Sequence, residues 1–129
     1  MANVDPKPLI QAATREVETV TVAEAAQKHA DGAQFVDVRE PEEWLQGYVA
    51  GALHIPRGTL EFDIGDQVRD PRRHLVTYCG SGARAVLAAA QLKRLGFENA
   101  AAMIDGGYDN WSEAGYPTAH NPLKPLLNR

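Results

Sequence analysis

The sequence predicts an α/β domain with a central, mostly parallel five-stranded sheet flanked by helices on both faces. Three observations carry the prediction. Short β-branched apolar runs alternate along the chain with helix-forming segments, the order expected of parallel strands joined by crossover helices. The chain has 129 residues, a common size for one domain, which buries roughly two thirds of the surface its unfolded form exposes. Hydrophobic residues make up 44% and charged residues 23%, as in an ordinary globular protein and unlike a disordered chain.

The elements follow in order. Val4 to Pro8 reads as extended and proline-rich, and Leu9 to Val17 holds enough helix formers for a short helix packed outside the main domain. Glu18-Thr19-Val20 is a β-branched run. Thr21, with Glu24 three residues on, forms a capping box that opens a helix through Ala30, closed by Asp31-Gly32. Gln34 to Val38 is a second strand, and Pro41 suits the first turn of a helix over Glu42 to Tyr48. Ala52 to Ile55 is a short third strand ended by Pro56. Arg57 to Arg73 is polar and broken by Gly58, Gly65 and Pro71, which predicts a loop with at most one short helix.

His74 to Tyr78 is the next strand, and it runs directly into a glycine-containing loop that starts at Cys79. Ala83 to Leu95 places Val86, Leu87, Ala90 and Leu95 on one side of a helix that Gly96 ends. Ala100 to Ile104 is a fifth strand, Asp105-Gly106-Gly107 a sharp turn, and Tyr108 to Ala114 a short helix. The domain reading is an N-terminal extension over 1–17, one domain over 18–117 and a loosely packed tail over 118–129.

Composition excludes several functions. The net charge of −4 comes from 17 acidic and 13 basic residues mixed along the chain, with no basic stripe to attract a phosphate backbone, so nucleic acid is not expected as a partner. One cysteine forms no internal disulfide, which fits a reducing, cytoplasmic setting. Met1 to Gln11 has no apolar run of signal-peptide length, and no stretch approaches the roughly 18 apolar residues of a membrane span. No Cys/His cluster has metal-ligand spacing, so neither metal nor cofactor is expected.

The chemistry centres on the loop Cys79-Gly80-Ser81-Gly82-Ala83-Arg84. Ligands of open parallel sheets sit beyond the carboxyl ends of strands, and Cys79 lies at such an end, just before a helix N-terminus. The first-turn N–H groups there have no intrahelical partners and favour negative charge, which stabilises a thiolate. Gly80 and Gly82 let the backbone curl around the sulfur as an anion nest, and Arg84 adds a positive charge at the rim or anchors the loop. A lone cysteine is commonly a small buried hydrophobe. An inert core cysteine, however, would sit equally well in mid-strand.

A Cys-His pair needs an imidazole within hydrogen-bond reach. His74 begins the strand that ends at Cys79 and lies roughly 16 Å away at about 3.3 Å per residue. His29 ends an early helix and is expected at the surface, and His120 lies in the tail. His54, beside Ile55-Pro56 at another strand end, is the remaining candidate. The loop lacks the Gly-Lys-Ser/Thr ending of a nucleotide-binding P-loop. Cysteine phosphatases also cradle a thiolate ahead of an arginine, but with five residues between the two. Here there are four, too few for a tetrahedral phosphate and enough for one extra sulfur atom.

In this loop and the motifs around it the sequence resembles the rhodanese-like sulfurtransferases, from about Val20 to Pro117. The resemblance rests on Asp37-Val38-Arg39-Glu40-Pro41-Glu42-Glu43-Trp44, on Gly47-Tyr48-Val49-Ala50-Gly51-Ala52 leading to Ile55-Pro56, and on Tyr78-Cys79 with the active loop. Leu95-Gly96-Phe97 and Asp105-Gly106-Gly107 with Trp111 and Gly115 complete the series. It implies a rhodanese fold with Cys79 as sulfur acceptor. The thiolate takes sulfane sulfur from a donor such as thiosulfate or mercaptopyruvate, forms a persulfide held by the N–H groups of Gly80, Ser81, Gly82, Ala83 and Arg84, and hands the sulfur to cyanide or a thiol, small or protein-borne.

Tyr48 stands where the family often has histidine. The opening Cys-Gly-Ser-Gly is similar to mercaptopyruvate sulfurtransferase loops, whereas thiosulfate enzymes often carry an early basic residue. A single rhodanese unit fits this length, leaving a shallow site able to receive a protein. Asp37 and Arg39 are expected as scaffold, with Arg39 pairing with an acid such as Glu43, and Trp44 and Trp111 as core. Arg57, Arg72 and Arg73 are read as solvated loop charges. The alternatives to an enzyme are a persulfide carrier or docking module with little turnover and, third, a cysteine-dependent phosphatase.

Overall fold

The computed structural model describes residues 4–121. The chain opens with α1 (Lys7–Glu16), then β1 (Glu18–Thr21), α2 (Val22–Ala30), β2 (Gln34–Asp37) and α3 (Pro41–Trp44). Next come β3 (Tyr48–Val49), β4 (Leu53–His54), a 3₁₀ turn over Arg57–Thr59, and α4 (Leu60–Gln67). It continues with β5 (Leu75–Tyr78), α5 (Ala83–Leu95), β6 (Ala100–Asp105), α6 (Tyr108–Glu113) and β7 (Thr118–Ala119). The main sheet has five strands in the order β1-β6-β5-β2-β4, and every neighbouring pair is parallel.

The sheet separates two cores. On one face Leu75, Val36 and Val38 meet α1, α4 and α5 through Ala13, Leu60, Ile64, Val86 and Leu92. On the other, Phe35, Val76, Tyr78 and Met103 meet α2 and α6 through Ala25 and Trp111. Because side chains alternate along a strand, Tyr78 faces the second core and Cys79 the first, beside α5. Thr77 shares the α5 face and donates its Oγ1–H to Ala85 O at 2.7 Å, tying β5 to the first turn of the helix that follows the loop. All four β5 residues are buried, so the strand that ends at the cysteine is held on both sides.

Local capping rules account for several boundaries. Thr21 Oγ1 accepts the Glu24 N–H at 3.1 Å while Glu24 Oε1 accepts the Thr21 N–H at 2.8 Å, a capping box that starts α2. The α5 helix ends at Gly96, whose N–H reaches Lys93 O at 3.0 Å. The first helix starts at Lys7 with Pro8 in its first turn, where the missing N–H costs nothing, so Pro8 is helical and not extended. It packs against α5 and β1.

Four further expectations change. The α3 helix stops at Trp44 instead of Tyr48, because Tyr48 and Val49 pair antiparallel with Ala119 and Thr118. The same pairing orders Thr118–Ala119, which was expected in a loose tail; the expectation for residues 122–129 lies outside the described residues. The segment after Pro56 is more helical than expected, with the 3₁₀ turn leading directly into eight residues of α4. Trp111 is fully buried, but Trp44 is only half-buried and sits in a ring stack between Tyr48 (centroids 3.5 Å apart) and His54 (4.8 Å). No helix among the described residues is long and apolar enough to cross a membrane.

Candidate active site

The loop between β5 and α5 lies at the carboxyl end of the central strand. Cys79 is 1% exposed, and its Sγ accepts the Gly82 N–H at 3.0 Å. That geometry needs a turn that L side chains rarely adopt: Gly82 has φ +119°, and a Cβ there would stand 3.1 Å from the Cα and carbonyl oxygen of Ile104. Conformation therefore calls for glycine at this position, and the space beside Ile104 is tight for any side chain. Among the described residues the N–H groups of Gly80, Ser81, Ala83, Arg84 and Ala85 donate to no protein acceptor. They are the unsatisfied donors of a loop and helix start that follow the cysteine directly in the chain.

The turn after β6 forms the opposite wall. The Tyr108 N–H donates to Cys79 O at 3.0 Å, and Gly107 lies so close to the carbonyls of Cys79 and Gly80 that a Cβ would overlap both. Asn110 Oδ1 accepts the Gly107 N–H at 3.1 Å and sets the turn. Asp105-Gly106-Gly107, visible in the sequence only as a turn, is thus part of the loop's support.

Beneath the loop lies a buried charged pair. Asp37 accepts from Arg39 Nε (3.0 and 3.1 Å), Nη2 (2.7 Å) and the Arg39 backbone N–H (2.9 Å). The Arg39 guanidinium also donates to Gly47 O at 2.6 Å and lies 4.5 Å from the Tyr108 ring centroid. Burial opposes the charge on Arg39, but its hydrogen bonds to Asp37 and that carboxylate's charge raise its pKa above the ordinary value. The Tyr78 hydroxyl accepts the Val49 N–H at 3.0 Å. Burial first, then the Asp37 charge, hold its phenol well above the usual range, so it stays neutral.

The expected pairing of Arg39 with Glu43 is overturned, because Asp37, two residues away, takes the whole fork. Glu43 instead binds Arg84, with Nη1 to Oε1 at 2.7 Å and Nη2 to Oε2 at 3.0 Å. This hydrogen bonding is the main reason the Glu43 carboxyl is lowered to about 2, and the Glu43 hydrogen bonds likewise raise the Arg84 guanidinium. Arg84 therefore anchors the loop to α3. Glu43 also accepts the Glu40 N–H at 3.0 Å as the far half of a capping box.

The other candidates are placed elsewhere or occupied. His54 Nε2–H donates to Arg39 O at 2.8 Å, and its ring stacks on Trp44, so it is a brace for α3. His29 is half-buried and not a surface residue: it packs on Phe35 and Trp111 and donates to Ala50 O at 2.8 Å. His74 precedes β5 at the amino end of the sheet. Arg57 pairs with Glu61 at 3.0 Å and Arg72 with Asp70 at 3.2 Å. Arg73 reaches Gly32 O, at the amino end away from Cys79. No group of three or more His, Cys, Asp or Glu among the described residues is arranged to hold a metal. The sequence reading missed Glu43 as the partner of Arg84 and Tyr108 as a donor to the cysteine carbonyl. The signal for the first was present, since Glu40 at an N-cap before Pro41 directs Glu43 back toward its own helix start.

Known proteins resemble this chain in sequence and in fold. The rhodanese-like domain profile matches residues 21–114. The chain is 31% identical over 115 residues to thiosulfate sulfurtransferase 16, chloroplastic, of Arabidopsis thaliana, covering 81% of this chain and 95% of that protein. It is 31% identical over 102 residues to thiosulfate sulfurtransferase GlpE of Pseudomonas entomophila, covering 79% of this chain and 90% of that one. Among solved structures, a protein of unknown function from Rhodopseudomonas palustris, described as a possible tyrosine phosphatase, aligns with a TM-score of 0.80 at 31% identity, covering 92% of this chain and 97% of that one. The polysulfide-sulfur transferase homodimer of Wolinella succinogenes aligns at 0.75 and 28%, covering 91% and 88%. Sequence and fold agree, and the chain belongs to the rhodanese-like domain family.

Proposed function

We propose that this chain is a rhodanese-type sulfurtransferase in which Cys79 carries sulfane sulfur as a persulfide from a donor such as thiosulfate or mercaptopyruvate to a thiol or cyanide. The observation that supports this most is the loop itself: one N–H already held on Sγ at 3.0 Å, with its neighbours' N–H groups free of protein acceptors among the described residues. With thiosulfate, the Cys79 thiolate attacks the outer sulfur. The S–S bond of the donor breaks, sulfite leaves with the electron pair, and a new S–S bond forms on Cys79.

The terminal sulfur then carries the negative charge, and the N–H groups of Gly80, Ser81, Gly82, Ala83 and Arg84 stabilise it without reorganising. An acceptor thiolate attacks that sulfur and restores the Cys79 thiolate. Neither half-reaction requires a metal or a redox cofactor, because electrons move only between sulfur atoms. Incubation with thiosulfate or mercaptopyruvate followed by intact-mass measurement tests the reading. The expected result is a gain of one sulfur atom, removed by cyanide and missing in Cys79→Ser; no gain with any donor rejects it. Steady-state turnover with cyanide separates an enzyme from a carrier that loads but releases sulfur only to a bound protein.

The phosphatase description of the Rhodopseudomonas relative raises a second reading. Four residues separate Cys79 from Arg84, and the Arg84 fork that would grip phosphate is filled by Glu43. Both observations weigh against phosphoryl transfer. Aryl phosphate is expected to survive incubation with the protein; Cys79-dependent hydrolysis would reverse that conclusion.

A further inference from the structure

We propose that Glu43 sets the donor charge this loop accepts, by occupying the Arg84 guanidinium so that it is withheld from an incoming anion. The inference rests on the sulfurtransferase reading above and concerns which donors that site prefers. Arg84 is the only cation contributed by the loop, and both its terminal nitrogens are engaged by the two carboxylate oxygens of Glu43. The paired groups lie against the loop: a Cβ on Gly80 would stand 3.2 Å from Arg84 Nη2 and 3.7 Å from Glu43 Oε2.

Glu43 is fixed independently of Arg84. Its Oε1 accepts the Glu40 N–H, and the adjacent Trp44 is clamped between Tyr48 and His54. The carboxylate therefore does not swing aside when a donor arrives. The other arginines on segments leaving the carboxyl ends of β2 and β4 are matched in the same way, Arg39 with Asp37 and Arg57 with Glu61. The loop is left to hold anions by N–H dipoles, with its own arginine compensated among the described residues. Such a site discriminates against donors by their charge: a dianion such as thiosulfate gains less from it than from a loop with a free arginine, and a monoanion loses proportionately less.

The test is Glu43→Gln, which keeps the capping-box acceptor and removes the charge. Thiosulfate and methanethiosulfonate present the same sulfane sulfur with two charges and one. One uncompensated positive charge about 6 Å from a dianion in high dielectric corresponds to roughly tenfold in affinity, and from a monoanion to roughly threefold. In Glu43→Gln the KM for thiosulfate is expected to fall about tenfold and that for methanethiosulfonate about threefold, with kcat little altered. Both gains should vanish in Glu43→Gln/Arg84→Gln.

A measurement on the unaltered chain needs no variant. Its thiosulfate KM should be nearly flat between low and physiological salt, because the loop's own arginine is already compensated. Unchanged or raised KM values in Glu43→Gln, gains that persist without Arg84, or a steep salt dependence in the unaltered chain would each overturn the inference. Intact-mass loading is recorded first on every protein. If the unaltered chain gains no sulfur, the sulfurtransferase reading fails and this inference falls with it; loading with unaltered donor preference defeats this inference alone.

Discussion

Replacing Gly107 by alanine probes the wall of the cysteine loop. Gly107 has φ −134°, outside the left-handed region, so the perturbation is mainly one of space. The added methyl would overlap the carbonyl oxygens of Cys79 and Gly80 and the carbonyl carbon of Gly80. These are backbone atoms with no rotamer to escape through, and normal contact requires the two segments to part by about 1 Å. That movement breaks the Tyr108 N–H bond to Cys79 O, now 3.0 Å, a loss of about 1 kcal/mol. Overpacking adds about 1–3 kcal/mol, for a total destabilisation of about 2–4 kcal/mol.

With a urea slope of about 1.5 kcal/mol/M, the unfolding midpoint should fall by about 1.3–2.7 M. Sulfur loading, followed by intact mass against time, should slow by about two orders of magnitude, the effect of a roughly 1 Å misplacement. Gly115→Ala is the control. Its φ is +83° with open space around the added methyl, so it should cost about 1 kcal/mol through backbone strain while loading is unaffected. A Gly107→Ala protein with an unshifted urea midpoint and undiminished loading would refute the steric account.

Three further outcomes follow from the same contacts. Asp37→Asn leaves Arg39 buried without its counter-charge and should destabilise the domain by about 3–5 kcal/mol in urea or thermal unfolding; a change below about 1 kcal/mol would contradict the buried-pair description. Tyr78→Phe removes the acceptor of the buried Val49 N–H and should cost about 1–3 kcal/mol, read by the same unfolding curves and by faster amide exchange at Val49. Glu43 has its carboxyl lowered to about 2 by Arg84, so its contribution is complete above the ordinary carboxylate range and is lost as pH falls from about 4.5 toward 2. The urea midpoint of Glu43→Gln should therefore converge on that of the unaltered chain as pH is lowered through this window, and parallel pH profiles would show that the pair contributes nothing.

Features decided by near neighbours were legible in the sequence. The Thr21 and Glu24 capping box, the span of α5 with Gly96 beyond it, and Cys79 at a strand end depend on residues within a few positions of each other. Pairings across the chain were not. Tyr48 reads as helical on its own, and only contact with Ala119, 71 positions away, makes it a strand. Arg84 and Glu43 are 41 positions apart, and which acid serves which arginine follows from the helix start at Pro41. His54 looked reactive at a strand end because its carbonyl partner on Arg39 is a backbone atom, to which side-chain patterns are blind. The supporting role of Gly107 was hidden for the same reason: its neighbours are carbonyls of another segment.

The brace on Cys79 from Gly107 and Tyr108 also bears on how the domain is made. Ribosomes release the chain from the N-terminus, and 28 residues (107 minus 79) separate the thiol from its brace. At about 5–20 residues per second the cysteine emerges about 1–6 s before Gly107 does. During that interval α5 can form but has no turn to lean on, and the cysteine carbonyl has no donor from α6. Closure of the loop is thus among the last events in synthesis of the domain, after all five strands of the main sheet have emerged.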